Sequence, residues 1–299
     1  MVTRCTPCTR RQALQTLCAA AAFRRSVAAA SSIQYGYAGI TWGNDYMAAI
    51  DDIAAVGYRG IQLRASDGLL DRFAGQPAAL RDLLVAKRLT FAVFSSGNLS
   101  IDPAREREMF DLHTKHARFV QRAGGKYLQV IDERPKGREV TAADYARTGR
   151  LLTELAKRVH DAGATLVYHH HMNSTGEKPH EIAAVLEAAD SRHVRLLFDT
   201  AHFQQGGGDP AAAIRQYREW IEVLHLKDVR AIESAPGYQF VELGRGRVDL
   251  KSVYNALAAI NFRGWGVVEL DRVPDPGRTP KECAEINRRY LTETLHQVV

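Results

Sequence analysis

Cysteine is scarce in this chain of 299 residues, and it is placed badly for cross-linking: Cys5, Cys8 and Cys18 fall near the start and Cys283 stands alone beyond them. A single thiol excludes an internal disulfide framework for the body of the protein. Long apolar runs are missing as well. No stretch of about 18 apolar residues is free of charge, so nothing reads as a membrane-spanning helix. Residues 1–30 have no Asp or Glu but carry Arg4, Arg10, Arg11, Arg24 and Arg25, which leaves 35 basic against 34 acidic side chains in the remainder. The formal charge of +6 therefore sits at the front, and the body lacks the basic excess that nucleic-acid binding demands. A glycine-rich phosphate turn is absent too. Gly36, Gly39 and Gly43 do not make G-x-G-x-x-G, and Gly206-Gly207-Gly208 reads as a loop leading to a helix at Asp209-Pro210, which argues against a doubly wound nucleotide-binding sheet. With 45% hydrophobic and 25% charged residues, what is present is ordinary globular material, and disordered and collagen-like classes are excluded.

The first 30 residues read as an address. Arg10-Arg11 is followed by the weakly apolar Leu17-Cys18-Ala19-Ala20-Ala21-Ala22-Phe23 and then by Ala28-Ala29-Ala30 before Ser31. That order of basic, apolar and small-residue regions matches a twin-arginine-like export signal over residues 1–30, which implies a periplasmic protein; a cytoplasmic one is the alternative.

Beyond residue 32, short strand-like runs alternate with longer helical ones. Eight strands are expected, near Tyr35–Ile40, Gly60–Leu63, Thr90–Phe94, Tyr127–Ile131, Thr165–Tyr168, Val194–Phe198, Ile221–Leu226 and Gly266–Leu270. Helical patterns lie between them at Tyr46–Val56, Arg105–Ala123, Ala142–Ala162, Pro179–Ala189, Pro210–Trp220 and Leu250–Ile260. Gly57, Gly124 and Gly163 stand where left-handed caps end three of these. Repeated strand-then-helix order with right-handed crossovers predicts an α/β fold, a single-domain (β/α)8 TIM barrel over residues 33–299.

In such a barrel the C-terminal strand ends converge on one mouth. Four late strands end in polar residues: His169-His170-His171, Asp199-Thr200-Ala201-His202, His225-Leu226-Lys227-Asp228 and Glu269-Leu270-Asp271. Imidazole and carboxylate groups on successive strands suit a divalent cation, and the mixed softness leaves Mn2+, Co2+, Zn2+ and Mg2+ open. Asp199, His225 and Glu269 are expected as metal ligands. Alternation along a strand puts His169 and His171 on one face and His170 on the other, making His169 the fourth ligand and His171 a proton-transfer group. Each has a plainer reading, since Asp199 also stands where it can cap a helix and Lys227 could pair with Asp228 or Glu269. His113, His116, His160, His180 and His193 lack a comparable setting and read as structural.

The segments Trp42-Gly43-Asn44-Asp45, His169-His170-His171-Met172, Phe198-Asp199-Thr200-Ala201-His202, His225-Leu226-Lys227-Asp228 and Gly264-Trp265-Gly266-Val267-Val268-Glu269 resemble the xylose-isomerase-like superfamily of sugar isomerases and epimerases. The inosose dehydratase branch is the nearest part of it. The resemblance covers nearly everything after residue 33. It implies a metal held by Glu, Asp, His and Glu from strands five to eight; the last three match Asp199, His225 and Glu269, while His169 replaces the first. Met172-Asn173 and the export signal also depart from that branch.

A metal-dependent dehydratase or lyase acting on a keto-sugar or keto-cyclitol through a metal-stabilised enediolate is therefore expected, with a sugar isomerase or epimerase as the alternative. The roles assigned are His171 as catalytic base or acid and Lys227 as its electrostatic or proton-donating partner. Asn44, His202 and Asp228 would orient substrate hydroxyls, and Trp42 would form an apolar floor. The partner is a small carbohydrate or cyclitol, with no nucleic acid and no membrane, and a homo-oligomer remains open. A DNA-repair endonuclease would need more metal ligands and a basic stripe, and a non-catalytic sugar-binding barrel is the third class.

Overall fold

The computed structural model describes residues 33–65 and 68–299; the proposed leader at 1–30 lies outside the described residues. Eight parallel strands close into a barrel in the order β1, β10, β7, β6, β5, β4, β3, β2, which establishes the expected architecture. The barrel strands are β1 Gln34–Ala38, β2 Gly60–Arg64, β3 Thr90–Leu99, β4 Tyr127–Asp132, β5 Thr165–His169, β6 Arg195–Asp199, β7 Ile221–Leu226 and β10 Trp265–Val268. A small antiparallel pair, β8 Asp228–Ala231 and β9 Tyr238–Val241, is inserted after β7. The helices are α1 Tyr46–Val56, α2 Leu69–Phe73, α3 Pro77–Ala86, α4 Glu106–Arg122, α5 Ala142–Asp161, α6 Pro179–Glu187, α7 Thr200–Gln205, α8 Pro210–Gln216, α9 Leu250–Ala259 and α10 Pro280–Arg289. None of the described helices is long and apolar enough to cross a membrane.

Two apolar layers follow from strand alternation. Ala38, Ala92, Val93, Tyr127, Val167, Leu197, Val223, Trp265 and Val267 fill the barrel interior, whereas the larger cluster, including Phe94, Leu128, Tyr168, Leu196 and Phe198, packs between the strands and the helices. Gly60 is required by the interior packing, since a Cβ there would lie 2.3 Å from the Trp265 ring. Gly57, Gly124 and Gly163 have φ of +102°, +80° and +85° and supply the left-handed turns expected at the ends of α1, α4 and α5.

The largest departure from expectation is β3. It runs five residues past Phe94, with a register shift between Ser95 and Asn98 against β4. A shift of this kind bends a strand, and Ser95, Gly97 and Asn98 accordingly line the barrel mouth.

Candidate metal centre

The site is one further layer of the barrel interior. Val167, Leu197, Val223 and Val267 point inward, so the residues two positions on point the same way at the next level up. Those residues are His169, Asp199, His225 and Glu269. Register sets Asp199 directly beside His225, while His169 pairs with Leu197 and His225 with Val267, so the four residues climb by two positions at each of those steps around the tilted barrel. The four side chains are buried and meet. Asp199 Oδ2 lies 3.5 Å from His169 Nε2 and 3.4 Å from His225 Nδ1, and His225 Nδ1 lies 3.2 Å from Glu269 Oε2. Ligands bound tetrahedrally at ~2.1 Å stand about 3.4 Å apart, so the spacing is that of groups around a shared ion.

Asp199 performs both of the roles its position suggested. Its Oδ1 accepts the backbone N–H groups of Ala201 and His202, each at 2.8 Å, and caps α7. Its Oδ2 has no hydrogen-bond partner, and neither do His169 Nε2 and His225 Nδ1, all three being buried. Orphaned buried polar atoms are costly. Asp199 Oδ2 and His225 Nδ1, 3.4 Å apart beside Glu269, fit a cation that would satisfy both.

Electrostatics support the same reading. Burial opposes the charge on Asp199, but His202, His169, His225 and Lys227 overcome it and hold the carboxyl well below its usual range. Glu269 is likewise held well below the usual carboxylate range, burial being outweighed by His225 and Lys227. Burial alone would lower His225, yet Glu269 and Asp199 push it up to about 9. His169, with burial dominant, falls to about 3. Two carboxylates thus remain ionised in a dry interior.

Above the centre opens a cavity of about 460 Å³, whose walls include Ile40, Gln62, Gln129, His171, Glu269 and Asp271. His171 Nδ1 donates to the Met172 carbonyl at 2.7 Å, and its ring lies against His202 at a tilt of 41° with centroids 3.8 Å apart. That bond assigns the proton to Nδ1 and leaves Nε2 as a base. His170, as alternation required, faces the other way, packing against Phe198 and Phe203.

Residues 50–293 match the family model described as Xylose isomerase-like TIM barrel. The chain belongs to the xylose isomerase-like TIM barrel family. Among its relatives, an inosose dehydratase of Lacticaseibacillus casei is 27% identical, with 89% of this chain and 98% of that protein aligned. A solved structure of IolI protein with a bound zinc atom has a TM-score of 0.74 at 18% identity, over 88% of this chain and 98% of the other. The probable 3-DHS dehydratase AsbF of Bacillus anthracis has a TM-score of 0.71 at 14% identity, over 87% of this chain and 99% of the other. These two establish the shared fold.

In this xylose isomerase-like barrel, not every expected substrate contact reaches the site. His202 stands deeper than expected. Its Nε2 is 3.9 Å from Asp199 Oδ2, and a group of His169, Asp199, His202 and Glu269 could itself hold an ion. Asp228 offers nothing to a substrate, because its carboxylate accepts the backbone N–H groups of Val229, Gly244, Gly246 and Val248 at 2.8 to 3.0 Å. Trp42 turns from the cavity to donate to Asp52 at 2.9 Å, and the exposed Asn44 does not line it.

Lys227 is buried and binds Glu269 Oε2 at 2.8 Å and Asp271 Oδ1 at 2.5 Å, with Nζ 4.1 Å from the centre of the Phe240 ring. Its ion pair is therefore with Glu269, not Asp228. Phe240, Gln62 and Gln129 escaped the sequence reading, and Asp271, seen there as part of the strand-eight ending, was given no role. A signal for the glutamines existed, since Gln129 stands two residues beyond the inward Tyr127, as His169 stands beyond Val167.

Proposed function

We propose that this protein is a divalent-metal-dependent dehydratase acting on a keto-cyclitol or a closely similar keto-sugar. The observation that carries the reading is the pair of orphaned buried atoms Asp199 Oδ2 and His225 Nδ1, facing one another beside Glu269 and beneath an open cavity. Asp199, His225 and Glu269 would hold the cation. Oxygen predominates in that set, which favours Mn2+ or Mg2+ over Zn2+ and Co2+. A bound cation would withdraw charge from a substrate carbonyl and acidify the neighbouring C–H.

The remaining work falls to side chains. His171, with its proton fixed on Nδ1, takes the proton from carbon at Nε2. Loss of the hydroxyl one carbon further on, as water with that proton, completes a dehydration. Lys227 serves electrostatically. Burial lowers its affinity for a proton, but Asp271 and Glu269 more than reverse this and raise it above the ordinary value, so it stays charged. Dehydration is preferred to isomerisation because the aligned relative, matched over 98% of its length, is an inosose dehydratase.

Purified protein supplied with Mn2+ and a 2-keto-inositol should generate the ultraviolet absorbance of a conjugated ketone, and a chelator should stop it. A change of substrate configuration with no conjugated product would instead establish the isomerase or epimerase reading.

A further inference from the structure

Three imidazoles crowd the Asp199 carboxylate, and the hydrogen bonds on their far sides decide what two of them can offer. A neutral imidazole has one N–H and one lone pair. His225 Nε2 meets Gln62 Oε1 at 2.8 Å, so that nitrogen keeps its proton when a cation replaces the one that the two carboxylates favour on Nδ1, and Nδ1 then presents its lone pair between Asp199 and Glu269. The Gln62 amide nitrogen donates to Gln129 Oε1 at 2.9 Å. The Gln129 amide nitrogen in turn donates to His169 Nδ1 at 2.9 Å.

Each amide has a donor end and an acceptor end, so this chain has one direction. The imidazole that gives a proton at one end obliges the imidazole at the other to accept. His169 therefore spends its lone pair on Gln129 and carries its proton on Nε2, the atom facing Asp199. His202 is not decided in this way, because its Nδ1 accepts the Met172 backbone N–H at 3.2 Å while the Lys227 ammonium, which can only donate, lies 3.4 Å from its Nε2.

We infer that, of His169 and His225, His225 alone supplies nitrogen to the ion, while His169 presents an N–H group to the centre and Gln62 and Gln129 are the positioning residues that enforce this. The inference rests on the metal-centre reading and narrows it to two carboxylates and one imidazole. Three imidazole lone pairs would suit zinc or copper, whereas one nitrogen among oxygens suits manganese. The His169 N–H group also serves a purpose of its own. Donors fixed beside a site where a substrate oxygen gains negative charge stabilise that charge without reorganising.

Pulsed EPR of the Mn2+-loaded protein should show modulation from one imidazole. His169→Gln retains an N–H donor, and its Mn2+ dissociation constant should stay within about threefold of the wild-type value, whereas His225→Gln should weaken binding by about 100-fold or more. In Gln129→Glu, the carboxylate draws the His169 proton to Nδ1, frees Nε2 and should raise the imidazole count to two. Two or more imidazoles in the wild type, a loss in His169→Gln matching that in His225→Gln, or an unchanged count in Gln129→Glu overturns the relay and leaves the metal centre standing. Failure of the wild type to bind Mn2+ overturns both. If Gln129→Glu does not fold, the comparison of the two histidine variants decides alone.

Discussion

At the residue scale, the centre was legible wherever chemistry-bearing residue types stood at strand ends, and obscure wherever an amide did the work. His169, Asp199, His225 and Glu269 announce themselves by type, and Gln62 and Gln129 acquire meaning only from the imidazoles they touch. Asp228 shows the converse. Its type suggested a substrate contact, but partners up to 20 residues away in sequence consume its oxygens. Asp199 permits a clean separation of roles, because Oδ1 caps α7 and Oδ2 faces His225 Nδ1 at the proposed metal position. Asp199→Asn retains an oxygen for the cap, worth about 1 kcal/mol, but loses the charge. Elemental analysis should find the metal depleted while the variant still folds; full occupancy would contradict the ligand assignment. His171→Ala should behave oppositely, keeping its metal while kcat falls about 10²- to 10⁴-fold. Unchanged turnover would exclude His171 as the base.

At the element scale, the strands were found to within a few residues because apolar runs bounded by turns identify them, and α1 spans the predicted Tyr46–Val56. What pattern could not reveal was irregularity. The β3 extension depends on a register shift against β4, and the β8–β9 pair depends on Asp228. That carboxyl is raised by burial, against which the backbone N–H groups of Val248, Gly246, Val229 and Gly244 act to retain its charge. The group ties the start of β8 to the 244–248 loop, and its removal leaves several N–H donors without an acceptor. Asp228→Ala should cost about 3–5 kcal/mol of stability, seen as a lowered denaturant midpoint, while KM stays near the wild-type value in the folded fraction. A raised KM with undiminished stability would restore the substrate-contact reading.

At the scale of the whole molecule, eight strand signals and the lack of a composition break were enough to predict closure, but not how the interior would be held together outside the active site. His113 and His116, read from sequence as structural, are buried on α4 and share the Ser96 hydroxyl, with Nδ1 distances of 2.6 and 2.7 Å. His113 Nε2 also donates to the Asn98 carbonyl at 3.1 Å. The pair thereby ties α4 to the distorted end of β3 that shapes the cavity. Burial lowers both imidazoles to about 4. In the unfolded chain they titrate near 6.5. Between those values the unfolded state takes up protons that the folded state refuses, so stability is full above about pH 6.5 and declines as pH falls toward 4. The slope from the pair should be on the order of 1–2 kcal/mol per pH unit. Urea unfolding of the chelator-treated protein at pH 7 and pH 5 should therefore show a lower midpoint in acid, and the drop should shrink in a His113→Asn, His116→Asn variant, whose amides do not titrate. An equal drop in both proteins would mean that acid sensitivity arises elsewhere in the barrel, with the α4 to β3 tie contributing none of it.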